Sequence, residues 1–182
     1  AQVSVAGRAS GEAGMIVARA AVTDIPLILA LEESGFDKGR WSRTAWLSEI
    51  EADDRYVLVD RERDGTLVAV ASFSAIADTA ELLRVVVAPA YRGQGRARAL
   101  VRAGTQWAQA VGATRLLLEV EETNEAARRL YDRQGFRPIA RRDDYYGPGR
   151  HALVCELELR PISAPSPDED ADETYGSEVG DV

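Results

Sequence analysis

From Val85 to Arg98 the chain passes from a β-branched stretch, Val85-Val-Val87, through Ala-Pro-Ala-Tyr into Arg92-Gly-Gln-Gly-Arg-Ala-Arg98. This passage restricts the fold more than any other. It predicts a buried strand that enters a glycine-rich turn and then opens an amphipathic helix. Gly93 and Gly95 let the backbone come close to a ligand, and free N–H groups at a helix start, with the positive end of the helix dipole, suit an anionic diphosphate. Arg92, Arg96, Arg98 and Arg102 add positive charge around the same turn. No Gly-Lys-Ser/Thr follows, so the turn is not a P-loop. Gly-x-Gly-x-x-Gly is also missing, so it is not the dinucleotide fingerprint.

The 182 residues, 46% of them hydrophobic, are enough for one domain with a substantial core. The formal net charge is -8, but residues 161 to 182 hold seven acidic residues and no Lys or Arg, so the rest of the chain is close to neutral. Net charge therefore gives no reason to expect a nucleic-acid partner. One cysteine, Cys155, excludes an intramolecular disulfide and a multi-cysteine metal site, and fits a reducing cytoplasm. No apolar run approaches the ~20 residues of a membrane span. Residues 1 to 14 read as a disordered extension or expression remnant, residues 15 to 160 as the folded domain, and residues 161 to 182 as an acidic disordered tail.

Periodicity and punctuation place the elements. A first strand is expected over residues 15 to 21, followed by a helix capped by Thr23 that stops at Gly35, and a second helix from Ser42. Two antiparallel strands, 56 to 59 and 67 to 76, flank Asp64-Gly65 as a hairpin, and a further strand covers 81 to 88. In the next helix Ala97, Leu100, Val101, Gly104, Trp107 and Ala108 form one stripe, and Gly112 ends it. A strand over 116 to 120, a helix over 124 to 134, and strands over 136 to 146 and 152 to 159 complete the pattern. The fold class is α/β (α+β), a mixed sheet with helices on both faces.

Three segments in this order resemble the GNAT N-acetyltransferase superfamily: Arg92-Gly-Gln-Gly-Arg-Ala97, Leu118-Glu-Val-x-x-x-Asn124, and Ala127-x-x-Leu-Tyr-x-x-x-Gly-Phe136. The resemblance covers about residues 15 to 160. It implies a mostly antiparallel sheet of about six to seven strands, splayed open between the strand ending at Val87 and the strand carrying Glu119. Within the superfamily, Trp41-Ser42, Leu118-Glu-Val120 and Arg141-Arg-Asp-Asp-Tyr-Tyr146 resemble the RimI-type ribosomal-protein alanine N-acetyltransferases. Two departures stand out: Arg40 replaces the proline usual in that branch, and Asp143-Asp144 separate the arginine pair from the tyrosine pair.

The resemblance implies acetyl-CoA as co-substrate and no metal. Cofactor binding falls to the main chain of Val85, Val86 and Val87, to Arg92, Gly93, Gln94, Gly95, Arg96, Ala97 and Arg98, and to Asn124, which also starts a helix. Arg92 and the loop amides are the stronger phosphate candidates, while Arg96 and Arg98 can instead be solvated surface residues. Glu119 is the first candidate for the general base, with Glu81 as competitor because the histone-acetylating branch resembles this strand and carries its glutamate there. Tyr131 is the candidate general acid. Trp41, Tyr145 and Tyr146 are candidates for a substrate groove, with core packing as the alternative for each. His151 stands alone and reads as structural, and Cys155 reads as an inert buried thiol.

The function expected is transfer of an acetyl group to an amine, with a protein or peptide N-terminal α-amine, such as that of a ribosomal protein, as acceptor. A small amine or a lysine side chain is the alternative acceptor. A non-catalytic acyl-CoA-binding regulatory module is the alternative from a different class.

Overall fold

A computed structural model of the chain describes residues 14–36 and 39–160. The acidic segment and the first 13 residues, expected to be disordered, lie outside the described residues. The elements in chain order are β1 (Ile16–Arg19), α1 (Ile25–Gly35), α2 (Arg43–Glu51), β2 (Arg55–Arg61), β3 (Leu67–Ile76), β4 (Thr79–Val87), α3 (Arg96–Ala110), β5 (Arg115–Glu121), α4 (Glu125–Arg133), β6 (Arg137–Arg142) and β7 (Ala152–Glu158). They form one seven-stranded sheet in the order β1-β2-β3-β4-β5-β7-β6. Every neighbouring pair is antiparallel except β4 and β5.

Alternation along the central strands separates two cores. Val57, Val59, Val70 and Val86 point to the face covered by α1 and α2, where they meet Ile28, Leu31 and the fully buried Trp46. Leu58, Ala69, Ala71 and Phe73 point the other way and pack with Leu100, Val101 and Ala108 of α3, and Tyr131 and Phe136 complete that layer. The helices thus cover both faces, as the apolar stripes require. Gly104 lets α3 approach the sheet closely, because a β-carbon there would lie 2.1 Å from the Phe73 ring.

Register shapes the centre of the sheet. Phe73 pairs with Leu82 but Ser72 pairs with Arg84, so Leu83 is an extra residue in β4. This bulge reverses the side-chain alternation. Leu82 faces α3 with Phe73, whereas Arg84 is turned to the α1 face. The parallel pairing of β4 with β5 begins at Thr79–Arg115 and ends at Leu82–Leu118. Beyond it the two strands part, with Val85 and Val87 on one side and Glu119 and Glu121 on the other.

Several boundaries differ from expectation. Thr23 lies inside a 3-10 turn, Val22–Asp24, and Asp24 is the residue that ties this turn, accepting from the Ala21 N–H at 3.0 Å. The strand expected to run to Tyr146 ends at Arg142, because Asp144 adopts φ 53° and accepts from the Gly149 N–H at 2.6 Å. Residues 143 to 151 therefore form a hydrogen-bonded turn that returns the chain to β7.

Candidate active site at the strand divergence

The loop after β4 is built by its glycines. Gly93 and Gly95 have φ of 74° and 83°, a region open to glycine at no steric cost, and Gly95 is the cap residue of α3. Ala99 N–H is bonded to Gly95 O at 2.9 Å, so the amides of Arg96, Ala97 and Arg98 precede the first closed helical turn. Gln94 folds over the loop, donating to Ala90 O at 3.0 Å. Arg92 is exposed and donates to Val87 O at 3.2 Å, which places a guanidinium where the loop meets the divergence.

Ala88 N–H bonds to Val68 O at 2.9 Å across β3. By antiparallel alternation the main-chain groups of Val86 are also turned to β3, and those of Val85 and Val87 are turned to the gap. Val86, expected to offer its main chain to the cofactor along with its neighbours, is instead occupied by the sheet and by the apolar core. Two of the three valines face the opening.

Arg96 also departs from both expectations. Its guanidinium is neither solvated nor directed at the loop. It is 5% exposed, bonded to Asp60 Oδ2 at 3.0 Å, paired with Glu62, and stacked over Tyr91 at 5.6 Å. Burial keeps the Asp60 carboxyl above its ordinary range even though Arg96 pulls it down. What Arg96 offers to a ligand is its backbone amide, while its side chain pins the start of α3 to β2. Arg98 is exposed and Ala97 half-buried. Neither Asp60 nor Tyr91 was singled out in the sequence, and a buried partner for Arg96 has no local signature.

Glu81 pairs with Leu117, so Glu81, Leu117 and Glu119 share one sheet face, the face of α1 and α2. The Glu119 carboxylate pairs with Arg142. Hydrogen bonding toward Glu119, followed by burial and the Glu119 charge, raises the Tyr145 phenol, and the Glu81 charge contributes in the same direction. The Tyr145 phenol therefore feels the charge of both candidate bases. Arg142 also lies 4.2 Å from the Tyr145 ring and is itself raised, chiefly by its bond to Glu119.

The turn after β6 is fastened to the end of β5 by further pairs. Arg150 makes two bonds of 2.7 Å to Glu121, which hold the Glu121 carboxyl below its ordinary range. Arg141 reaches Glu122 at 3.3 Å. These arginines bring Tyr145 and Tyr146, 44% and 38% exposed, to the rim of the gap and not into the core. Trp41 is half-buried and packs on Trp46 at 5.0 Å, in the segment before α2.

Tyr131 lies on the opposite face. It is 6% exposed and packs edge-on against Phe136 at 5.7 Å. Burial raises its phenol far above the usual value, and Tyr146 and Cys155 add to the rise. Tyr146, raised by burial and then by Glu119, Tyr145 and Glu121, is thus electrostatically linked to both Glu119 and Tyr131. Asn124 caps α4, accepting from the Ala127 N–H at 3.1 Å, so its side-chain oxygen serves the helix while its amide N–H groups remain available. Burial raises the Cys155 thiol and keeps it protonated. His151 Nδ1 accepts from the Asp144 N–H at 3.1 Å and so orders the turn.

Residues 26–136 match the model of the Acetyltransferase (GNAT) family. The chain is 32% identical over 123 residues to the ribosomal protein bS18-alanine N-acetyltransferase of Haemophilus ducreyi, covering 65% of this chain and 83% of that one. It is 33% identical over 112 residues to the streptothricin acetyltransferase of Streptomyces lavendulae, 59% of each chain. The crystal structure of the Escherichia coli ribosomal-protein-S18-alanine N-acetyltransferase superposes with a TM-score of 0.72 at 26% identity, covering 85% of this chain and 97% of that one. The glycine loop, the diverging strands and the matched segment agree, and the chain belongs to the GNAT family of acetyltransferases.

Proposed function

We propose that the chain transfers an acetyl group from acetyl-CoA directly to the N-terminal α-amine of a protein or peptide, with Glu119 as base and Tyr131 as acid. The observation that carries this reading is the end of β4–β5 pairing at Leu82–Leu118, which leaves two main-chain residues on one lip and a carboxylate on the other. The positive-φ glycines and the amides opening α3 fit a diphosphate, and the main chain of Val85 and Val87 fits an amide-bearing arm. Acetyl-CoA supplies a thioester with a thiol leaving group. Every other role falls to the chain.

Glu119 accepts a proton from the amine, directly or through water. A peptide α-amine, with a reference pKa of ~8 against ~10.4 for lysine, asks less of a carboxylate base. Tyr131 holds its proton firmly at neutral pH and delivers it to the departing sulfur. Trp41, Tyr145 and Tyr146 line the acceptor side, and the likeness to the bS18-alanine enzymes favours a protein N-terminus. A peptide bearing both a free N-terminus and a lysine tests the assignment. Fragmentation should find the acetyl group on the α-amine, and acetyl on lysine alone overturns it.

The likeness to streptothricin acetyltransferase favours a second reading, a small amine as acceptor. Faster turnover of small amines than of any free peptide N-terminus would establish it.

A further inference from the structure

Arg84 is absent from the roles assigned so far, yet it joins the strand that borders the gap to the segment that borders the acceptor side. The bulge at Leu83 turns it toward α1. There its guanidinium makes a two-pronged contact with Glu32, Nε to Oε1 at 2.9 Å and Nη2 to Oε2 at 2.5 Å. Nη2 also donates to Gly39 O at 3.0 Å. The charged plane lies 4.0 Å from the Phe36 ring and 5.4 Å from that of Trp41. Glu32 is 1% exposed, and its Oε2 accepts from the Trp41 N–H at 3.2 Å.

Three points between α1 and α2 therefore converge on this one ion pair: Phe36, Gly39 and Trp41. Burying a charge pair costs desolvation energy that good geometry only offsets, so stability alone is a weak reason to have one here. A planar, two-pronged guanidinium fixes direction as well as distance, which a lysine ammonium does not.

We infer that Arg84 is a positioning residue for the acceptor. It holds Phe36, Gly39 and Trp41 at a fixed place relative to β4, so that the amine arrives in line with the gap. The inference rests on the reading of Trp41 as part of the acceptor groove. It does not depend on which amine the enzyme prefers.

Arg84→Lys and the nearly isosteric Glu32→Gln test it in the full chain, with acetyl-CoA and whichever acceptor the unaltered enzyme turns over fastest. Both variants should raise the acceptor KM by about tenfold or more, because small misplacements are costly in catalysis. The acetyl-CoA dissociation constant should change less than about twofold. The paired variant Glu32→Gln with Arg84→Met removes both charges of the pair and separates stability from positioning. It should regain the melting temperature of the unaltered chain and keep the high acceptor KM. An unchanged acceptor KM in Arg84→Lys overturns the inference, as does recovery of acceptor KM together with melting temperature in the paired variant. If the preferred acceptor proves to be lysine or a small amine, the α-amine reading fails while the effect on that amine's KM still decides the role of Arg84.

Discussion

Arg142 of β6 pairs with the carboxylate of Glu119 of β5, across the turn that carries Tyr145 and Tyr146. The carboxylate proposed as base is thus held by a guanidinium, and under that proposal an incoming amine must displace Arg142 from it. The Glu81 charge acts on the Tyr145 phenol in the same direction as that of Glu119.

Replacing each carboxylate in turn separates the candidates. Glu119→Gln should lower kcat by about 10²-fold or more, the usual worth of a positioned base, and Glu81→Gln by much less. Steady-state kinetics at saturating acetyl-CoA makes the comparison. Loss confined to Glu81→Gln would assign the base to β4.

Tyr131→Phe should lower kcat while acetyl-CoA binding, followed by calorimetry, persists. It should also change the response to alkali. The folded phenol is raised well above the ordinary value of about 10, so its contribution is fully present below that value and stability falls as pH climbs beyond it, where only the unfolded chain releases the proton. Urea midpoints at about pH 8 and about pH 10.5 should diverge less in Tyr131→Phe than in the unaltered protein. Equal divergence would mean that Tyr131 ionises as freely in the folded state as in the unfolded.

Asp60→Asn should destabilise the fold by about 3 kcal/mol, because it weakens the partner of a guanidinium that is almost entirely buried. Acetyl-CoA affinity should fall as well, since Arg96 fixes the start of α3. Chemical denaturation and binding measured on the same variant check both effects. Weakened binding with unaltered stability would contradict the pinning role.

Gly104→Ala should cost about 1–3 kcal/mol, since the added β-carbon would overlap the fully buried Phe73 ring. The unfolding midpoint measures it. An unchanged midpoint would mean that α3 can withdraw from the sheet without penalty.

Much of this architecture was legible in the residues. Leu100, Val101, Gly104 and Ala108 recur at helical spacing, and these residues bury against β3. Gly93 and Gly95 marked the loop because left-handed backbone there has a strong residue preference. The bulge at Leu83 left no mark, since Leu-Leu-Arg carries no turn residue, and with it went the orientation of Arg84 and the main-chain role of Val86. Arg96 was misjudged for a related reason. Its partners, Asp60 in β2 and Glu62 just beyond that strand, lie 36 and 34 residues away, and no local pattern reports a buried long-range pair. The three arginines that fasten the β6–β7 turn were visible as charges, but their glutamates became partners only once β5 and β7 were in register.

The most direct test of the account is CoA release from acetyl-CoA against three acceptor sets: peptides with free N-termini, the same peptides blocked at the N-terminus but bearing lysine, and small amines. The highest kcat/KM is expected with free N-termini, with a loss of about tenfold or more on blocking, in line with the lower basicity of the α-amine. Equal turnover of free and blocked peptides, or turnover of small amines alone, would contradict it.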